Sequence, residues 1–556
     1  MNRWVGTSLK IGAVFFSSIV LVGADGGKKD SDNKPIPVTV PKAVCGPHDR
    51  PETALQGQVP AALRAAGFKG FNCNLELIGQ SRGDGANWQT TQFKQRARGE
   101  RGDDDRDDDD GDDRDGGHGK NDTRICGYHG TASPTLSLPG RAHLGVAVLD
   151  LTDAKNPAPT AYLSTTAMLD PWESLKVNER RQLLAADNGQ NGGAGPEIDI
   201  YDLSDDCRYP QLLASVAVGK ADGSTGVPAT VTGHEGAWAP DGLTYYGGDL
   251  RQFQYFAVDT TDPSKPKLIT TFHSPFGAGP PYANVHGMSI SDDGKRAYFV
   301  TAVYSSVIDF ANLPNPNVIP NNGLIIADVS DIQARKPNPQ VRVISKLLWK
   351  DGAAAQHTIN VKIGGKPYVI FVDEGGSGGN TPRGWQAACD AGLPAWPFAR
   401  IIDISDEVRP KIVSRLMLEV NNPANCSKVL PDLAGLSSFT YGSHYCSVDN
   451  RHHATTLVCG YFSSGIRVFD IRDPLRPREI AYYNPAGTTT PSPGSNHNRV
   501  GGWVAGGPDW CSAQVHLDAK KATLWSTCQD NGVLMLKFRK GVWPFEDSRT
   551  PPGAQN

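Results

Sequence analysis

No two of the ten cysteines stand in CxxC spacing, which argues against a structural zinc knuckle. The chain also has no GxSxG nucleophile elbow, Walker loop or dinucleotide fingerprint in its required context, so serine-hydrolase, nucleoside-triphosphatase and nicotinamide chemistries lack their usual sequence signatures. There is no basic stripe with interleaved aromatics, and no nucleic-acid partner is expected. Beyond the N-terminus no stretch approaches the ~20 apolar residues of a membrane-spanning helix, so no transmembrane segment is expected.

The N-terminal apolar run is itself short. Arg3 and Lys10 precede "IGAVFFSSIVLVGA", which closes on Gly23 and Ala24, the layout of a secretory signal cleaved before Asp25. An uncleaved anchor is the alternative. The mature protein is expected to be exported, periplasmic or secreted, and its ten cysteines, an even number in an oxidising compartment, read as disulfides.

What is present is a globular composition: 556 residues, 61 Gly, 41 Pro, 38% apolar and 21% charged. The formal charge of -4 hides an asymmetry, because "DDDRDDDDGDDRD" from Asp103 to Asp115 holds ten Asp against two Arg. That run cannot build a core of its own and reads as a disordered insertion at about residues 81–122.

Internal repetition dominates the rest. An alternating strand ending in Asp recurs as "GVAVLDLTDAKNP", "EIDIYDLSDDCRYP", "FQYFAVDTTDPSKP", "GLIIADVSDIQARKP", "ARIIDISDEVRP" and "IRVFDIRDPLRP". The acids are Asp150, Asp202, Asp259, Asp328, Asp403 and Asp470, and "GVLMLKF" near Lys537 is a degenerate last copy. β-branched residues at alternate positions make sheets with two apolar faces that cannot be buried alone. Seven copies of about four strands predict an all-β, seven-bladed β-propeller of four-stranded antiparallel blades. The organisation read from this is a signal at 1–24, an extension at 25–70, the propeller at 71–540 and a tail at 541–556.

The strings "LIIADVSD", "ARIIDISD" and "IRVFDIRDP" resemble the bacterial LVIVD-repeat proteins, over roughly Phe71 to Phe538. That resemblance implies the fold and export but no activity. In overall fold and in the use of histidines by propellers, the chain is also similar to the copper-dependent methanethiol oxidase and selenium-binding group and to the iron-dependent carotenoid oxygenases.

Registering the blades places His234, His286, His357 and His444 at one position, each with an apolar residue four places on: Trp238, Ile290, Val361 and Val448. Extending the register puts Phe71, Glu173 and Asp509 there in the other blades; a one-residue slip would exchange Glu173 for Trp172. The same register pairs Cys73 with Cys126, Cys446 with Cys459 and Cys511 with Cys528. Cys389 and Cys426 read as a loop staple, with Cys45 and Cys207 left over.

Residues just before the inner strands of a propeller converge at one mouth of its channel. Four imidazoles with carboxylates beside them suit a transition metal, with iron or copper favoured and zinc or manganese also accommodated. Glu173 and Asp509 would serve as ligands or as acceptors that orient an imidazole, and Glu235 is a further candidate. The expected activity is a metal-dependent oxidoreductase acting on a small-molecule organic substrate, with metal-dependent hydrolysis second. The competing class is a binding or scaffold propeller recognising a protein or polysaccharide, in which such histidines only hydrogen-bond neighbouring blades. His452 and His453 read as exposed hairpin residues, and Asp249, Asp373, Glu374 and Asp530 as strand ends lining one face.

Overall fold

The computed structural model describes residues 38–96, 123–131, 142–189, 197–217, 233–250, 253–273, 285–301, 322–433, 435–499 and 501–545. The expected signal peptide, most of the acidic insertion and most of the tail lie outside the described residues.

Two short N-terminal strands, β1 (Phe71–Cys73) and β2 (Leu75–Ser81), precede the first blade. Blade one is β3 (Thr90–Gln95), β4 (Arg124–Gly130), β5 (Val146–Asp150) and β6 (Ala158–Leu163). Blade two is β7 (Lys176–Asn178), β8 (Leu183–Asp187), β9 (Ile198–Asp202) and β10 (Gln211–Val216). Blade three is β11 (Glu235–Trp238), β12 (Thr244–Asp249), β13 (Gln254–Asp259) and β14 (Lys267–His273). Blade four is β15 (Met288–Ile290), β16 (Arg296–Thr301), β17 (Asn322–Asp328) and β18 (Arg342–Trp349). Blade five is β19 (Ala353–Ile363), β20 (Lys366–Gly375), β21 (Ala399–Asp403) and β22 (Lys411–Arg415). Blade six is β23 (Cys446–Val448), β24 (Thr456–Gly460), β25 (Ile466–Asp470) and β26 (Arg478–Asn484). Blade seven is β27 (His516–Asp518), β28 (Thr523–Cys528) and β29 (Gly532–Phe538), completed on its outer edge by β2.

The repeated acid has the same local job in six blades. Each ends the third strand and accepts the backbone N–H two residues on: Asp150 from Thr152, Asp202 from Ser204, Asp259 from Thr261, Asp328 from Ser330, Asp403 from Ser405 and Asp470 from Arg472. A side chain that caps its own turn is why Asp recurs there. A bulge between third and fourth strands also recurs in all seven blades, which bends each outer strand and adds twist.

The spaces between blades are filled by apolar layers. Ile370, Val372 and Ile401 of blade five meet Leu457, Cys459 and Phe469 of blade six, and Tyr246 and Tyr255 of blade three meet Phe299 and Ile325 of blade four. Each such side chain stabilises by about 1.5–3 kcal/mol on burial, so these layers hold the blades together.

The N-terminus departs from the sequence reading. Phe71 was expected on the inner strand of blade one, but β1 pairs with β26 as a fifth, outer strand of blade six, and β2 pairs with β29. Asn74, at φ 60°, turns the chain from one blade to the next, and its amide donates to the carbonyls of Val44 and Ile480. The inner strand of blade one is β3 instead. Cys73 is therefore far from its expected partner: the bridges are Cys45–Cys73 and Cys126–Cys207, not Cys73–Cys126. Cys389–Cys426, Cys446–Cys459 and Cys511–Cys528 form as read, and no cysteine is free.

The segment before β1 is clamped to blade six by a buried ion triad. Arg467, fully buried, reaches Glu479 at 2.9 Å and also contacts Glu52, while Gln56 Nε2 donates to Glu479 at 2.9 Å.

Candidate metal centre

Three imidazoles meet on one buried carboxylate where the chain enters the inner strands. Glu173 Oε2 lies 3.4 Å from His234 Nε2 and 3.2 Å from His286 Nε2, and Glu173 Oε1 lies 3.0 Å from His444 Nε2. Glu374, at the end of β20, places Oε2 3.2 Å from that same His444 nitrogen. Donors on adjacent corners of a coordination shell with bonds of about 2.1 Å stand about 3.0–3.4 Å apart, so these spacings suit atoms that share a cation.

The remaining ring nitrogens are held in place. His286 Nδ1 is 3.0 Å from Glu235 Oε2, and His444 Nδ1 donates to the carbonyl of Ser512 at 2.8 Å. Anchoring one nitrogen leaves the other aimed at a ligand position. Tyr445 donates its hydroxyl to Glu173 Oε2 at 3.3 Å. Trp88 and Phe462 close over His444 with ring centroids 5.2 and 5.1 Å away, and Trp172 lies 5.4 Å from His234. The polar cluster thus sits in an aromatic box.

Carboxylates and imidazoles set one another's charge across the cluster. Burial opposes ionisation of Glu173, but the His444 charge, the His234 bond and the His286 charge hold its carboxyl well below the usual range. Burial pulls His444 down, yet Glu173 and Glu374 push it up to about 10. His286 is likewise raised against its burial by Glu173 and Glu235, whereas burial lowers His234. Among the described residues, Lys176 is the lysine paired with this group, its Nζ 3.5 Å from Glu235 Oε1. A cation is the chemical complement of this set.

Of the residues expected at the mouth, Glu173, His234, His286 and His444 come together, and Glu235 stands behind His286. His357 does not join them. A bulge in β19 sets Ala355 opposite Asp373 and His357 opposite Val372, so Gln356 is the extra residue and takes the inward place. Gln356 Nε2 lies 3.0 Å from both Glu173 Oε2 and His444 Nε2. His357 turns into the channel, accepts the Cys446 N–H at 3.4 Å and stacks on Tyr445. Asp509 is also elsewhere: it accepts the backbone N–H groups of Trp510, Asp530 and Asn531, and forms a separate group with His497 and Asp530. His452 and His453 are exposed on their hairpin.

Burial pushes His357 down to about 4, against an ordinary value of 6.5. A depressed histidine contributes stability that is whole above 6.5 and is lost as pH falls toward 4, because the unfolded chain takes the proton first. In that window His357 is expected to remove up to about 1.4 kcal/mol per pH unit. His357→Gln should flatten the pH dependence of the urea midpoint between pH 6.5 and 4; an unchanged slope overturns this reading.

Below the centre the channel opens into a cavity of about 500 Å3, lined among others by Lys176, Glu235, Trp238, His357, Tyr445 and Arg451. Lys176, Glu235 and Tyr445 touch both cavity and cluster.

No protein-family model matches the sequence, and no curated protein is significantly similar to it. The LVIVD resemblance therefore rests on the repeated strings. Among solved structures, a 6-phosphogluconolactonase-like protein of Bacteroides uniformis is 12% identical, with 74% of this chain and 93% of that one covered at a TM-score of 0.45. Another from Bacteroides fragilis is 10% identical, covering 76% and 93% at 0.46. Hydrazine synthase of Kuenenia stuttgartiensis is 14% identical, covering 75% and 93% at 0.42. Likenesses this distant transfer no activity; what the chain itself displays is a seven-bladed β-propeller.

Proposed function

We propose that this protein is an exported, metal-dependent oxidoreductase acting on a small organic molecule at one mouth of its channel. The carrying observation is the convergence of His234, His286 and His444 on Glu173 at 3.0–3.4 Å. Two imidazoles with one carboxylate, as in His234, His286 and Glu173, is the donor composition used by non-haem iron oxygenases. Five disulfides with no free cysteine support export. Among the described residues no helix is long and apolar enough to cross a membrane.

A bound iron or copper ion would supply the redox chemistry. The chain's own residues bind and orient. The cavity admits a small substrate from the channel side, and the aromatic box of Trp88, Phe462 and Trp172 keeps bulk water from the opposite face. Glu235 joins the two regions, with Oε1 toward Lys176 and Oε2 on His286 Nδ1. Tyr445 keeps a proton on its hydroxyl, since burial raises its pKa, and donates it to Glu173.

The test is metal analysis of untagged protein, as purified and after separate reconstitution with Fe(II), Cu(II), Zn(II) and Mn(II). Stoichiometric metal that disappears in His286→Ala is the expected result; a folded wild type that stays metal-free overturns the proposal. Oxygen uptake with iron or copper that is absent with zinc assigns redox chemistry. Turnover supported by zinc assigns hydrolysis instead.

A further inference from the structure

Glu173 divides its two oxygens between two donor sets. One comprises Glu173, His234 and His286; the other comprises Glu173, Glu374 and His444; within each, the donor atoms lie inside 4.8 Å of one another. Among the described residues, no set joins His444 to His234 or His286 within that limit. Opposite ligands of one ion with bonds of about 2.1 Å are at most about 4.2 Å apart, so a single ion does not satisfy all three imidazoles as they stand.

We infer that this mouth of the channel holds two divalent transition-metal ions bridged by Glu173, one on His234, His286 and Oε2, the other on His444, Glu374 and Oε1. The inference rests on the metal-centre reading above. Paired ions in such sites lie about 3.5–4 Å apart, a span that the two oxygens of one carboxylate bridge. Each set has its own outer support: Glu235 behind His286, and the Ser512 carbonyl behind His444. Independent anchoring of the two sets is what two ions require, since each must keep its imidazole aimed without help from the other.

Charge agrees. Glu173 Oε1 and Glu374 Oε2 both lie within 3.2 Å of His444 Nε2, so two carboxylates and one imidazole nitrogen face one small volume. A second cation in that place takes both carboxylates and the imidazole nitrogen as ligands. Gln356 lies astride the two sets, with Nε2 3.0 Å from an atom of each; its Oε1 is buried and has no partner among the described residues, and a flip of the amide would turn that oxygen toward both sets. The sites are chemically unequal. The first offers two nitrogens and one oxygen, the second one nitrogen and two oxygens, so the second suits a harder ion such as Mn(II) or Fe(II).

Mn(II) is the probe. Chelator-treated apo protein is titrated with Mn(II) and followed by equilibrium dialysis and electron paramagnetic resonance. The expected result is two equivalents per chain, with the hyperfine signal of isolated Mn(II) replaced by an exchange-coupled spectrum as the second equivalent binds. Glu374→Gln should reduce the stoichiometry to one and abolish coupling. One equivalent in the wild type, or two equivalents without coupling, overturns the pair and leaves the single-ion reading standing. No Mn(II) bound to the wild type, together with none of the other metals above, overturns both.

Discussion

Glu173→Gln is expected to leave a folded protein that retains less than a tenth of the wild-type metal and shows no turnover. The substitution keeps the shape of the side chain and its ability to accept from Tyr445, but removes the one charge on which His234, His286 and His444 converge. Groups that merely orient a ligand cost about 10- to 100-fold in metal affinity when removed, and loss of the central anionic ligand should exceed the top of that range. Glu235→Gln supplies the contrast. It disturbs the hydrogen bond behind His286 and the contact with Lys176 but removes no direct ligand, and its loss should fall inside the 10- to 100-fold range. In apo protein the same Glu173 change should lower the His444 pKa from about 10, since Glu173 is the larger of the two carboxylate influences holding it there. Competition with a chromogenic chelator reads the affinity, and the imidazole resonances of apo protein read the titration. A Glu173→Gln variant that binds metal as the wild type does overturns the assignment.

Arg467→Met is expected to produce the largest loss of stability, about 3–5 kcal/mol, the range seen when one partner of a buried ion pair is removed. Arg467 and Glu479 are both fully buried, and the guanidinium contacts Glu52 as well. Without it two carboxylates face each other in the interior. Burial already raises the Glu52 pKa even with Arg467 present. In the variant that elevation grows, so the native state holds a proton that the unfolded chain releases, and stability falls as pH rises. The deficit relative to wild type should therefore be greatest near pH 8 and shrink toward pH 5. Urea midpoints at several pH values check both magnitude and sign. A deficit that does not change with pH would mean that stacking of the guanidinium over Tyr482, rather than neutralisation of Glu52 and Glu479, is what Arg467 contributes.

The two substitutions also mark what could be read from the sequence. Repetition was legible because each turn-capping Asp is a local device, visible in its own dozen residues. The blade count, the third-strand ends at Asp150, Asp202, Asp259, Asp328, Asp403 and Asp470, and two of the five disulfides all follow from it. Three of the four ring histidines and Glu173 were legible for the same reason. His357 was not, because a bulge moves the inward position by one residue while leaving the sequence alternation intact. Gln356 carries no ligand signal in sequence, and Glu374 was read only as a strand end. The N-terminal strands were misassigned because pairing between distant chain segments leaves no local trace: β1 and β2 alternate as any strand would, and nothing in them names β26 or β29. Asp509 matched the repeat template near its cysteines, yet its carboxylate caps the backbone at Asp530 and Asn531.

Blade seven is assembled from both ends of the polypeptide, with β2 beside β29. During synthesis five blades can each finish from contiguous sequence as they emerge, while β1 waits for β26 and β2 for β29. Ring closure is then the final event, and it is the step at which an exposed strand edge is most open to pairing with another molecule. Cys45–Cys73, formed two residues ahead of β2, would already hold that strand's approach in place before β29 arrives.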